Sequence, residues 1–397
     1  MRINFKSKRK RNWLSNAFLF NLDKLLYRRE KRLWVFGAWQ GKKYEDNSRY
    51  LYEYVIKYHS DSIKAVWLAE SDTVAETVKS IGGEAYTFSS SEGRAIARHA
   101  GVAIFTNGLD DFGSFPKVGG AKLVFLGHGV GFKRTYNAKY TGWAFYAKAM
   151  MDKLFSWIQR DITIATSDYN AEQRRQIAGL NKDAKIIIAG QPRNDVLKRH
   201  VDRNLLLQSL SISANKNMIL YMPTYRSPSM GERQMEKIVK YLYESPELKD
   251  ILHQTNSVII VKLHPLTPHI DIENRSDFHI LDYAAVKDNQ VLLAVCDMLI
   301  TDYSSCCVDF ALMDKPVIFY TPDHEDFIKK SETLSDEFYH ICELNQGRSP
   351  KELAHKISNP SVTATLAINR LFEHPSIKGT CYSENVYNAI CKEMGLK

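Results

Sequence analysis

No stretch of this sequence approaches the ~20 consecutive apolar residues that a membrane-crossing helix needs, so a span is not expected. Cysteine is sparse: six in 397 residues (Cys296, Cys306, Cys307, Cys342, Cys381 and Cys391), none in a CxxC pair. That argues against a disulfide framework and a zinc site, and reduced thiols fit the cytoplasm. No DxD-like acidic pair stands in a convincing loop; Asp110-Asp111 is followed by Phe112-Gly113 and reads as a turn. There is no internal repeat and no low-complexity segment beyond a basic N-terminal arm. The apolar part of that arm is broken by Asn16, Asn21 and Asp23 and lacks a small-residue cleavage site, so it does not read as a signal peptide.

What is present starts with charge. The formal net charge is +9, and residues 1–34 hold eleven Lys or Arg against two acids, Asp23 and Glu30. The excess belongs to the arm, and the rest of the chain is balanced. A nucleic-acid reading from overall basicity is therefore misplaced. The arm interleaves its cations with Trp13, Leu14, Phe18, Leu19, Phe20, Leu22, Leu25 and Leu26. Basic and amphipathic together suit an anionic membrane surface, at about 1 kcal/mol per Lys or Arg near it. The plainer reading is a helix packed on its own domain. Apolar content of 44% with 25% charged residues argues against disorder, and 397 residues suggest two domains.

Short apolar runs alternate with helical patterns such as 47–58 and 91–99. Strands are expected at 33–36, 65–68, 85–88, 102–106, 122–126, 162–165 and 185–189. A second set is expected at 218–222, 258–262, 298–301 and 316–320. Val/Ile/Leu-rich runs with little alternation read as strands buried on both faces, hence parallel sheets in an α/β protein. The polar, helix-prone run 193–216 separates the two sets. The expected layout is an arm over 1–32, a Rossmann-like domain over 33–197 and a second over 198–397. They would face each other across a cleft, with ligands at the carboxyl ends of the strands.

Four motifs fall on such strand ends. "LVFLGHGVGFKR" (123–134) ends a strand at about Leu126. Gly127, Gly129 and Gly131 then permit a tight turn with backbone N–H groups near a ligand. The spacing does not match the dinucleotide fingerprint. His128 suits proton transfer near neutral pH, or is a structural turn residue. Lys133 and Arg134 can offset negative charge. "VIIVKLHPLT" (258–267) delivers His264 to a second strand end, with Pro265 stopping the strand. In "CDMLITDYSSCCVDFALMDKPVIFY" (296–320), Ser304 and Ser305 sit at the start of a helix expected over 306–313. They cap its N–H groups or, with its dipole, hold a phosphate. "YMPTYRS" (221–227) places Arg226 at a strand end, as a phosphate fork or a surface arginine. Diphosphate charge would then be met by Arg, Lys, His and helix dipoles rather than necessarily by a metal.

These residues bring the chain to a resemblance. "VFGAWQGKKYEDNSRYLYEY" (35–54), "HGVGFKR" (128–134), "GQPRNDVL" (190–197), "YMPTYR" (221–226), "VKLHP" (261–265) and "TDYSSCCVDFALMDKPVIFY" (301–320) occur in order. From about 33 to 320 the chain resembles the CDP-glycerol glycerophosphotransferases of teichoic-acid and capsule synthesis. The resemblance implies a GT-B-like fold and transfer of glycerol phosphate from CDP-glycerol to a hydroxyl of a lipid-linked or polysaccharide acceptor, releasing CMP. It implies His128 as base on the acceptor and His264 facing the donor diphosphate. Substrate-binding candidates are Gly127, Gly129, Lys133, Arg134 and Arg193 around the first histidine. On the donor side they are Thr224, Arg226, Lys262, Asp302, Ser304, Ser305 and Asp309. No cofactor is required, and dependence on a divalent metal is left open. The protein would lie on the inner face of the cell membrane, and the aromatic segment 140–160 would help it there. Tyr225 stands where the family often has Trp, 321–339 lacks the usual Tyr/Gly-rich signature, and 378–390 keeps part of the usual Gly–Ser–Ser ending. CDP-ribitol, or a nucleotide sugar on the same architecture, are the alternative donors.

Overall fold

The structure is a computed structural model, describing residues 13–114, 117–132, 143, 160–178, 185–199, 201–226, 230, 233–281, 285–286, 288–330 and 334–396. Lys133, Arg134, residues 1–12 and most of 140–160 lie outside the described residues. The chain divides into two compact units. The first comprises residues 1–128, 135–195 and 374–397, and the second residues 129–134 and 196–373.

The first unit is built on seven parallel strands: β1 (Glu30–Phe36), β2 (Lys64–Ala69), β3 (Glu84–Thr87), β4 (Ala100–Phe105), β5 (Lys122–Phe125), β6 (Ile162–Ala165) and β7 (Lys185–Ile188). Their order is β3-β2-β1-β4-β5-β6-β7. Along β1, Trp34 and Phe36 enter one apolar core while Leu33 and Val35 enter another, so both faces of the sheet are covered. That is why the strands read as continuous apolar runs. The connections reverse direction between β1 and β4, the switch point at which such sheets bind ligands.

The second unit carries six parallel strands: β8 (Asn217–Met222), β9 (Ser257–Lys262), β10 (Phe278–Leu281), β11 (Met298–Thr301), β12 (Val317–Tyr320) and β13 (Gln346–Gly347). The order β10-β9-β8-β11-β12-β13 puts its switch point between β8 and β11. Both units are therefore Rossmann-like, α/β and wholly parallel.

Two features depart from expectation. Strands β10 and β13 are absent from the sequence reading. The first is four residues interrupted by His279 and the second is only two residues long, so neither carries a period. Residues 374–397 belong with the first unit, not with 198–373. The reason is local to that unit: helix Tyr382–Met394 buries Val386 and Ile390 in the core around Trp34 and Trp67. Asp195 accepts the first N–H groups of that helix, from Tyr382 at 2.7 Å and Ser383 at 2.9 Å. A carboxylate on helix N-terminal N–H groups is a cap supplied from 187 residues away.

The arm begins as helix Trp13–Leu26. Its second half docks on the first unit. Phe20 is buried, and Asp23 is buried between Arg98 at 3.3 Å and Lys117 at 3.9 Å. Leu25 and Leu26 stay 82% and 63% exposed. Among the described residues no helix is long and apolar enough to cross a membrane. None of the six cysteines forms a disulfide.

Candidate active site

In the first unit, β5 ends at Phe125 and the chain turns through Gly127 at φ +74°. A side chain there would be strained and would run into the guanidinium of Arg174. The Gly127 carbonyl accepts from Asn47 Nδ2 at 2.7 Å. Asn47 Oδ1 in turn accepts the Arg193 N–H at 3.1 Å. Arg193 Nη1 donates to the His128 carbonyl at 2.9 Å and pairs with Asp46 at 3.1 Å. Arg193 thus holds the turn that carries the histidine.

The His128 ring keeps solvent access and packs near Trp39, with ring centroids 5.8 Å apart. Its pKa lies below the ordinary value. Desolvation is the main cause, Asp46 pulls upward, and Arg193 and Arg174 push downward. The Thr106 backbone nearby also raises it slightly. The ring is neutral at pH 7, with one of its nitrogens an acceptor. That is the form a general base needs.

Buried Asp111 sets the neighbouring loops. It accepts backbone N–H groups from Gln40 at 2.8 Å, Thr106 at 3.0 Å and Asn107 at 2.9 Å. The Asp110-Asp111 turn is a 3-10 helix, Leu109–Phe112. Sequence reasoning passed over Asp111, Asp46, Asn47 and Arg174. Asp111 reads as part of a turn, Asn47 only as the start of a helical pattern, and Arg174 lies on a helix without any motif.

In the second unit, the ends of β8 and β11 are joined by Thr301 Oγ1 donating to the Met222 carbonyl at 2.7 Å. Asp302 Oδ1 accepts from the backbone N–H of Thr224 at 2.8 Å and of Tyr303 at 2.6 Å. Arg226 is enclosed. Its side chain is 1% exposed, with Nη1 on Asp302 at 2.8 Å and Nε on Asp323 at 2.8 Å. Nη2 donates to Asp323 at 2.9 Å and Nη1 to the Thr224 carbonyl at 2.8 Å. Its guanidinium lies over Tyr303 and Phe327. Burial works against this charge, but Asp302 and then Asp323 outweigh it and raise the pKa. The phosphate fork expected at Arg226 gives way to a positioning role, since its nitrogens already hold the loops together. Asp323 lies in the segment after β12, where the sequence shows no familiar pattern.

Lys262 and Asp309 are likewise buried. The first donates to the Val286 carbonyl, and the second accepts from Gln290 Nε2 at 2.9 Å. What remains accessible is His264, with Thr224, Tyr225, Ser304 and Ser305 partly so. Nδ1 of His264 accepts the Leu266 N–H at 3.2 Å, so in the neutral ring Nε2 carries the proton and is a donor. Tyr225 stands beside it, ring centroids 5.4 Å apart.

The helix expected over 306–313 runs only from Cys306 to Ala311, and Ser305 makes no side-chain cap hydrogen bond. Ser304 Oγ accepts from Cys306 N at a long 3.4 Å. The capping expected of Ser305 is therefore not made. Within the same unit the segment Gly129–Phe132 lies alongside. Phe132 packs against Phe338 and Phe372, its carbonyl accepts from Ser335 N at 2.8 Å, and Gly131 approaches Ser305. Among the described residues no group of three or more His, Cys, Asp or Glu is placed to hold a metal.

Comparison with known proteins bears on the fold and the family. The wall teichoic acid polymerase TagF superposes with a TM-score of 0.72 over 98% of this chain and 97% of that one, at 20% identity, a likeness of fold. The teichoic acid poly(glycerol phosphate) polymerase of Staphylococcus epidermidis is 25% identical over 74% of this chain, and that of Bacillus subtilis 27% identical over 75%. The poly(ribitol-phosphate) polymerase of Bacillus spizizenii is 25% identical over 80%. The chain spans 41%, 39% and 48% of these relatives' own lengths. The family model for CDP-Glycerol:Poly(glycerophosphate) glycerophosphotransferase matches residues 19–372, nearly the whole chain, and the protein belongs to that family.

Proposed function

We propose that this protein transfers glycerol phosphate from CDP-glycerol to a hydroxyl of a teichoic-acid-like or capsular polymer acceptor, releasing CMP. One observation carries the reading: each Rossmann-like sheet delivers one histidine beyond a strand's carboxyl end, His128 after β5 and His264 after β9. His128 takes the proton of the acceptor hydroxyl as its oxygen bonds to the glycerol-bearing phosphorus. The bond from that phosphorus to the bridging oxygen breaks, and CMP leaves with the oxygen. The Nε2–H of His264 and the hydroxyls of Ser304 and Ser305 bind the diphosphate and its growing charge. Thr224 and Tyr225 line the donor site, while Arg226, Asp302, Lys262 and Asp309 hold its walls. General-base help of this kind contributes about 10²–10⁴-fold.

The protein works on the inner face of the cell membrane. Support comes from the exposed Leu25 and Leu26 beside Lys24 and Arg28, and from Trp143, which is 84% exposed. CDP-ribitol is the second donor reading, favoured by the likeness to a poly(ribitol-phosphate) polymerase. The test is CMP release with CDP-glycerol, CDP-ribitol or a UDP-sugar, using membrane extract as acceptor. Acceptor-dependent release from a CDP-alditol, lost in both His128→Ala and His264→Ala, supports the reading. Turnover of the UDP-sugar alone overturns it.

A further inference from the structure

Trp39 carries two costs that packing alone does not account for. The chain passes through Trp39 at φ +50° and Gln40 at φ +56° before Gly41 at φ +76°. For a bulky side chain the left-handed region is a steric outlier, and here two such residues follow one another. The indole Nε1 is also buried, with no hydrogen-bond partner among the described residues. Folded proteins keep few such groups, and a strained residue persists only where its surroundings over-determine it.

The surroundings do so here. Asn107 Oδ1 accepts the Trp39 N–H at 3.2 Å, and Asp111 Oδ1 accepts the Gln40 N–H at 2.8 Å. The Gly41 N–H donates to the Ala38 carbonyl at 2.8 Å, and the Gly41 carbonyl accepts the Glu70 N–H at 2.8 Å. Asn107 and Asp111 follow β4, so the turn is fixed at the switch point between β1 and β4. What the turn delivers is the indole. It lies against His128, ring centroids 5.8 Å apart and planes at 59°. The Lys43 ammonium braces it, 5.4 Å from the indole centroid, and pairs with Glu45 at 3.3 Å. A change in the sign of φ at Trp39 would re-aim its Cα–Cβ bond and take the indole off the histidine.

We propose that Trp39 is a positioning residue for His128, its indole fixing the plane of the imidazole so that the acceptor nitrogen faces the incoming hydroxyl. This rests on the reading of His128 as general base, and it gives the strained turn a purpose. An imidazole with an open side can turn about χ2 and exchange its two nitrogens. Each turn takes the base out of hydrogen-bond reach of the proton it must accept. The charged groups that bear on the ring from other elements are Asp46, Arg193 and Arg174. The indole adds no charge. It excludes water on its side, in keeping with the desolvation that lowers the pKa of the histidine.

The test pairs kinetics with an NMR titration of the histidine-labelled full chain, the His128 resonance being the one missing from His128→Ala. Trp39→Ala lowers kcat for CMP release about tenfold or more and leaves the donor and acceptor KM within about twofold. Water then reaches the ring, so the acid limb and the His128 titration both move up toward the ordinary value near 6.5. Trp39→Phe keeps a ring at the contact and retains most of the rate and the wild-type titration. Should Trp39→Ala fail to fold, Trp39→Leu takes its place: it keeps apolar bulk without a planar face, and kcat still falls. Wild-type kcat and titration in the folded variant overturn the proposal and leave Trp39 a packing residue. A raised acceptor KM at unchanged kcat also overturns it, and makes the indole a wall of the acceptor site. If CDP-glycerol proves not to be the donor, the NMR titration still decides whether the indole governs His128.

Discussion

Asn47 Nδ2 donates to the Gly127 carbonyl at 2.7 Å, tying the start of helix Asp46–Tyr58 to the turn that carries His128. The same amide accepts the Arg193 N–H, so one fully buried side chain holds two backbone groups. Asn47→Ala leaves both without this partner. The expected cost is about 1–3 kcal/mol for each buried group left unsatisfied, read from urea unfolding. CMP release falls as well, because the histidine's turn loses its anchor. Unchanged stability would mean that the turn is held by other contacts.

The pH profile of His128 follows from its neighbours. Its pKa is lowered, so the base form persists below the usual value near 6.5. The acid limb of kcat/KM therefore falls below that value. Asp46 favours the protonated ring, and its carboxylate also offsets Arg193. Asp46→Asn removes both influences, so the pKa drops further and the acid limb moves to lower pH. The same linkage bears on folding. Between the lowered folded pKa and the unfolded value the folded state binds fewer protons, so this histidine's contribution to stability declines as pH falls through that window. A limb that moves upward in Asp46→Asn would refute the assignment of His128 as the titrating base.

Arg226 separates scaffold from ligand. With Asp302 and Asp323 both paired to it in a buried place, Arg226→Ala leaves two buried carboxylates without their cation. The expected loss is about 3–5 kcal/mol, seen as a collapse of the unfolding midpoint. Arg226→Lys does not rescue it, since one ammonium cannot replace Nε, Nη1 and Nη2 on three acceptor groups. A residue that only gripped the donor would give a folded protein with a raised donor KM.

The two sheets and both histidine-bearing strand ends were legible because a parallel strand buried on both faces writes itself as an apolar run, as in "SVIIVK" of β9. The ordering of the second site was not. Arg226 looks like a ligand until Asp302 and Asp323 close on it from 76 and 97 residues away, and no local pattern announces a pairing at that separation. Residues 374–397 were misassigned for the same reason: their cap, Asp195, lies far back in the chain. Arg174 escaped because it belongs to no motif and comes to lie by Phe125 only after β5 and β6 pair.

Ser305 offers a contrast between two serines at helix starts. Ser90 accepts the Gly93 N–H at 2.9 Å, a true cap, and Ser90→Ala should cost about 1 kcal/mol. Ser305 occupies the equivalent place before Cys306 but makes no such bond. Ser305→Ala should therefore leave unfolding within about 0.5 kcal/mol of wild type, as substitutions away from caps and cores do. If its hydroxyl serves the donor diphosphate, the same variant loses CMP release and raises the CDP-glycerol KM. Stability loss without a kinetic change would make Ser305 a cap after all. The opposite pattern would place its hydroxyl on the donor.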